Sequence, residues 1–338
     1  MFNKFVLLGF FGVFFSPLGM ISYICILKGV FAKFSLFDVL FIAYIFSNLI
    51  VNILIGDPVL SITTFRFYFG FIVFYLFFKV EGELPVKAIM LFLLMIIPME
   101  AILINTILPA QMLPNFPDAS AHSHFNIGGY QRPYSFGGNA SVASSLLVVL
   151  MSMYVLSRIQ KSAFIGCMLL FASGSGFFSL LTYFFLRLFK FFVLLLPLVI
   201  ILIGAFHQEV LGIIDSLGLK FNSGYVEILI EFKRQQFMSH FTGFTIVDYI
   251  FGNIDSLAEG YGGDFAWLYF VLGYGLLSFC ILIGYILSKI TRSTAIPIIV
   301  ILVATFHYPV IFFLPGQILL GYLMSRKSVN SNYVEVLK

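Results

Sequence analysis

Two cationic stretches beside glycine-rich or polar sequence are where this chain could do chemistry. The first is Arg132-Pro133-Tyr134-Ser135-Phe136-Gly137-Gly138-Asn139-Ala140-Ser141, which leads into an apolar run. Glycine lets the backbone come close to a ligand, a helix start presents unpaired N–H groups, and a guanidinium fork matches phosphate oxygens. Arg132, Gly137, Gly138 and Asn139 therefore outline an anion cradle. The plainer reading is a glycine-rich turn opening a helix, with Arg132 paired to Asp118. The second stretch is Lys233-Arg234, followed by Gln235, Gln236 and His240. Here Glu227 and Glu231 share a helix face with Arg234 and could neutralise it.

Ionisable groups at or inside apolar runs are costly and so also stand out. Arg66 is expected to begin a span at its outer end, where snorkelling is the ordinary explanation. Glu100 follows Pro98 and lies roughly 12 Å inside its span by the helical rise. A hydrogen-bonded packing residue, a transporter's proton site and a general base all fit it. The pair His122-x-His124 has no Cys and no HExxH spacing to support a metal site, so none is expected. No Walker loop, dinucleotide fingerprint, GxSxG or DxD pair occurs, which argues against cytoplasmic nucleotide chemistry and leaves no cofactor expected.

The elements that must hold these residues are membrane helices. Of 338 residues, 61% are hydrophobic and only 10% charged, and the mean hydropathy is +1.05. A soluble domain carries roughly a quarter charged residues. The 19 Lys and Arg never cluster into a basic run, so the net charge of +4 does not indicate nucleic acid. Cys25, Cys167 and Cys280 lie inside apolar runs and read as packing residues.

About eleven apolar segments are long enough to span a bilayer alone or sheltered by neighbours. They are Phe5 to Leu27, Leu36 to Gly56, Phe65 to Phe78, Ala88 to Leu108, Val142 to Leu156, Ser162 to Ala172, Phe177 to Leu186, Phe191 to Phe206, Phe265 to Leu287, Ala295 to Tyr308 and Val310 to Met324. The expected fold is an all-α polytopic membrane protein, one domain over residues 1–338. The bias of Lys and Arg puts Lys28, Lys33, Lys79, Lys87, Arg158, Lys161, Arg187, Lys190, Lys289, Arg292, Arg326, Lys327 and Lys338 on the cytoplasmic side. Arg66, Arg132, Lys220, Lys233 and Arg234 fall opposite, against the bias, with most of the acids. On this count the N-terminus is outside unless Pro17 splits the first segment into a re-entrant pair. Two outer segments are long, about 109–141 and 207–264, and Tyr225 to His240 in the second reads as an amphipathic helix on the membrane surface.

This layout resembles the bacterial O-antigen polymerase and O-antigen ligase superfamily. The resemblance is carried by Arg132 with Gly137-Gly138-Asn139-Ala140-Ser141, by Glu231-Phe232-Lys233-Arg234 followed by Gly252-Asn253, and by Gly263-Asp264-Phe265-Ala266-Trp267-Leu268 leading to Gly273-Tyr274-Gly275. It covers about the C-terminal two thirds. It implies an inner-membrane glycosyltransferase that transfers glycan from undecaprenyl diphosphate on the periplasmic face by an inverting displacement. Arg132 and Arg234 would stabilise the diphosphate, supported by Arg66, Lys233, Gly137, Gly138 and Asn139, and Asp264, His240 or Glu100 would take the acceptor proton. The implied partners are the undecaprenyl-diphosphate-linked oligosaccharide, membrane lipids, a chain-length regulator and a flippase. The chain departs from the family by lacking an Arg after the Ser of the hairpin Ser173-Gly174-Ser175-Gly176. Asp264 stands where ligases show a His, which favours a repeat-unit polymerase over a ligase. A lipid-linked oligosaccharide flippase or transporter is the rival from another class, with Glu100 and the broken spans as its clue.

Overall fold

Helix starts in this protein are set by short polar side chains. Ser35 is extended, its side chain accepts from the Asp38 N–H, and the Asp38 carboxylate accepts from the Ser35 N–H at 2.9 Å. This reciprocal capping satisfies two donors that a first turn leaves open. Ser157 and Gln160 repeat it, Asp57 caps a helix with Pro58 in its first turn, and Asn139 and Ser173 cap two more.

The computed structural model describes residues 2–11, 18–106, 126–127, 130–133, 138–189, 231, 234–235, 238–239, 243–258, 260 and 265–326. The elements are α1 (Phe2–Phe10), a 3-10 helix (Leu18–Cys25) continued by α2 (Ile26–Gly29), α3 (Leu36–Ile55), α4 (Pro58–Phe69), α5 (Phe71–Glu81) and α6 (Val86–Thr106). Then come strands β1 (Asn126–Ile127) and β2 (Tyr130–Gln131), α7 (Ala140–Met153), α8 (Arg158–Phe171) and α9 (Gly174–Arg187). The chain closes with α10 (Ile246–Phe251), a 3-10 turn (Ile254–Leu257), α11 (Ala266–Ser288), α12 (Ala295–Ala304) and α13 (Leu314–Ser325).

Three helices, α3, α6 and α11, are long and apolar enough to cross a membrane, and α4 with α5 makes a fourth if the pair, bent by 44°, is one span. The other apolar segments expected as spans form shorter helices where described. The clearest is α7, whose residues from Val142 to Leu150 are all buried. Neighbours on every side remove any need for it to match a bilayer's thickness, and its 14 residues reach only about 21 Å. The segment Phe191 to Phe206 lies outside the described residues.

The first segment is not one span. Gly9 of α1 lies against Ser22, so close that a Cβ on Gly9 would sit 2.5 Å from the Ser22 side chain. A continuous helix would separate those residues by about 20 Å. The chain doubles back between them, and Phe11 near the bend meets Phe92, six residues into α6, with ring centroids 5.0 Å apart. Residues 2–11 and 18–29 thus pack side by side, which turns Lys4 back toward the side of Lys28.

The bent pair of α4 and α5 breaks at Gly70. Its carbonyls there are satisfied by buried Gln317 of α13, whose Nε2 donates to the carbonyls of Arg66, Phe67 and Phe312, while Tyr23 donates to its Oε1 at 2.6 Å. A Cβ at Gly70 would lie 2.4 Å from that same Oε1.

Contacts at helix ends sort the bundle into two ends. At the lysine end Lys28 pairs with Glu81, Lys87 lies over the Tyr154 ring and Arg326 over Tyr322. Asp38 is its centre. The carboxylate is fully buried and accepts from Lys79 at 2.8 Å, Lys289 at 2.7 Å, Tyr75 at 3.0 Å and Tyr285 at 2.9 Å, which ties α3, α5 and α11 together. At the loop end lie Asp57, Thr106, the β-ribbon, the starts of α7 and α9, and His307.

Removing one member of a buried ion pair costs about 3–5 kcal/mol, because the other charge stays behind. Asp38→Asn strands two ammonium groups, whereas Lys79→Met leaves Asp38 with Lys289. The thermal midpoint of the detergent-solubilised protein is expected to fall much further for Asp38→Asn than for Lys79→Met. An equal or smaller fall would show that the cluster does not organise this end.

Candidate functional site

At the loop end, Asn105 in the last turn of α6 holds the β-ribbon by a two-way amide contact. Its Nδ2 donates to the Gln131 carbonyl and its Oδ1 accepts from the Gln131 N–H, both at 2.8 Å. The ribbon pairs Asn126 with Gln131 and Ile127 with Tyr130. Tyr130 then donates to the Leu170 carbonyl at 2.9 Å, which pins the ribbon onto the end of α8.

Arg132 follows directly. It is half-buried, and its Nη1 faces the carbonyl of Ala172 at 3.5 Å. Ala172 is left-handed (φ 45°) and turns the chain from α8 into Ser173-Gly174-Ser175-Gly176. Ser173 accepts from the Gly176 N–H and donates to Ser141 Oγ at 3.1 Å. The structure thus brings together the Arg132 stretch and the serine-glycine hairpin, two features far apart in sequence. Gly176 lies so close to Ser144 that a Cβ would meet its Oγ at 2.3 Å, and Ser179 donates to Ser145 at 3.0 Å, so small residues seat α9 tightly on α7.

Burial pushes the Arg132 pKa down, and the neighbouring Tyr308 opposes that shift. A guanidinium keeps its charge even so. The Tyr130 phenol is pushed up by burial first and by the negative charge of Glu100 second, which sets Glu100 within electrostatic reach of the ribbon. His307 accepts the Phe265 N–H on its carbonyl at 2.7 Å. A half-open cleft of about 140 Å³ lies between it and Gly174, Ser175, Phe178 and Phe306. The arrangement is a half-buried permanent cation at the turn after α8, within electrostatic reach of Tyr308 and of a charge type suited to an oxyanion.

Other expected site residues fall elsewhere. Asn139 uses its side-chain oxygen to cap α7, accepting from the Ser141 N–H at 2.8 Å, and Gly138 has φ +69°, the geometry of a turn opening a helix. Arg66 is not at the outer end of its span. It lies in the last turn of α4, eight residues and about 12 Å in from Pro58, because the helix starts earlier than the hydropathy suggests, at the Asp57 cap. Its guanidinium is exposed. Arg234 is helical and exposed and pairs with Glu231 at 3.5 Å, which is the neutralising partner its own helix face supplies. No contact links Arg234 to Arg132 among the described residues. Gly137, Lys233, His240, Asp264, His122 and His124 lie outside them. Among the described residues no three His, Cys, Asp or Glu side chains converge on a point.

The glycines near α11 have a steric role. Gly252 (φ +82°) ends α10 and its missing Cβ would lie 2.4 Å from the Tyr274 N, while one on Gly275 (φ +78°) would lie 2.2 Å from the Ile250 carbonyl. With Asn253 donating from its backbone to the Leu272 carbonyl at 2.7 Å, the end of α10 is inserted against a break in α11. The residues that reading the sequence misses are Asn105 and Tyr308. Asn105 carried a signal, as an amide closing an apolar run just before a long loop, whereas Tyr308 gains meaning only from the fold.

Comparison with family models, with curated proteins and with solved structures finds no match to this chain.

Gly275→Ala forces a left-handed alanine into backbone. It is expected to lower the thermal midpoint and speed protease cleavage within residues 243–251, while Gly284→Ala, at a helical and open position of α11, does neither. Unchanged cleavage in Gly275→Ala would mean the α10 contact is not tight.

Proposed function

We propose that this protein is a polysaccharide repeat-unit polymerase of the bacterial inner membrane, whose apolar segments after the first cross the bilayer and whose loops at about 109–141 and 207–264 face the periplasm. It moves a glycan from undecaprenyl diphosphate to a lipid-linked repeat unit. The observation that carries the reading is Arg132, a half-buried cation seated at the loop end against the hairpin of Ser173, away from the cluster of lysines.

In the reaction an acceptor hydroxyl oxygen attacks the anomeric carbon as the bond from that carbon to the diphosphate oxygen breaks. The electron pair leaves on the diphosphate and the hydroxyl proton passes to a base. Charge that develops on the leaving group is stabilised most by donors already fixed in place, and Arg132 is held by the ribbon, α8 and α9 before any substrate arrives. Arg234 is the second guanidinium that the sequence offers for the donor diphosphate. Asp264, His240 and Glu100 are the bases drawn from the sequence.

Arg132→Ala is expected to abolish polymer in a strain lacking the native chain, with protein levels in the membrane unchanged, and Arg132→Lys to restore little, since a point charge lacks the fork. The glycolipid pattern reads the reaction class. Single capped repeats support a polymerase. Uncapped core would identify a ligase, cytoplasmic build-up of one lipid-linked repeat a flippase, and near-normal polymer in Arg132→Ala would remove it from the site.

A further inference from the structure

Lys79 and Lys289 share a single counter-charge, since both ammonium groups lie on the Asp38 carboxylate. This corner of the lysine end therefore keeps an excess positive charge in a partly buried setting, where uncompensated charge is costly. Lys33, whose carbonyl accepts from Lys79, is exposed at its rim, and so is Arg292, three residues beyond Lys289. Next to these cations the start of α3 presents Leu36, Phe37 and Leu40, each more than half exposed. Free inorganic phosphate would match the charge but not the apolar flank.

We propose that this corner binds an anionic phospholipid, with the headgroup phosphate between Lys33, Arg292 and the Lys79–Lys289 pair and the acyl chains along Leu36, Phe37 and Leu40. The site rests on the chain being embedded in a membrane and is independent of glycosyl transfer. A lipid there completes the electrostatics that Asp38 leaves half done, as anionic headgroups do for basic residues at helix ends.

The test is native mass spectrometry of the full chain released from mild detergent after equilibration with equimolar phosphatidylglycerol and phosphatidylcholine. Phosphatidylglycerol is expected to be retained in clear preference. Lys33→Gln and Arg292→Gln, exposed and outside the buried cluster, should each weaken that preference about fivefold. Equal retention of the two lipids, or a preference untouched by both variants, overturns the site. Displacement of the lipid by millimolar inorganic phosphate also overturns it, by showing a free-anion site. Retention of neither lipid overturns it as well.

Discussion

A buried carboxylate that accepts from two lysines and two tyrosines fixes one end of this bundle. Asp38 takes every donor around it: the Ser35 N–H that starts α3, the ammonium groups of Lys79 and Lys289, and the phenols of Tyr75 and Tyr285. In an apolar interior such a charge persists only when its lone pairs are filled, so the cluster demands one relative placement of α3, α5 and α11. The ring of Tyr285 also stacks on Phe41 at 3.9 Å, which fixes the register of α3 against α11 by a second route. With those helices fixed at one end, their other ends define where the loops leave.

The loop end is held differently, by backbone rather than by charge. Asn105 grips the β-ribbon, Tyr130 reaches the end of α8, and Gly252 and Gly275 let two backbones meet where any side chain would intervene. Arg132 is presented at the junction of the ribbon and the hairpin of Ser173, while the Tyr23–Gln317 pair repairs the break between α4 and α5 deeper in the bundle. One end thus gathers charge around Asp38, and the other carries Arg132 at the junction of the ribbon and the hairpin.

Much of this was legible from residue types, and the failures are instructive. Hydropathy located α3, α6 and α11, and the positions of Lys28, Lys79 and Lys289 correctly grouped them at one end, because uninterrupted apolar length and flanking cations are local signals. The first segment misled, since a hairpin and a span have the same hydropathy and only the Gly9–Ser22 contact separates them. Arg66 was placed too far out because the helix begins at the Asp57 cap, a cue weaker than the surrounding apolar residues. Asp38 escaped notice altogether. A lone acid beside a helix start reads as an ordinary cap, and nothing local says that two distant lysines and two tyrosines fold onto it. The glycines near α11 were visible as a pattern, but their tight backbone contact with α10 was not. At the candidate site the Arg132 stretch was legible from its own composition, whereas its meeting with the turn before Ser173 and its reach to Tyr308 depend on helices packing together.

If fixed guanidinium groups provide the charge stabilisation that a divalent metal provides elsewhere, the reaction needs no added metal. The direct measurement is polymer formation by the purified protein from a synthetic polyprenyl-diphosphate-linked repeat unit, with excess EDTA or with Mg²⁺. The account predicts a ladder of products growing at closely similar rates in both. Activity lost in EDTA and restored by one divalent metal, or no ladder under either condition, would contradict it.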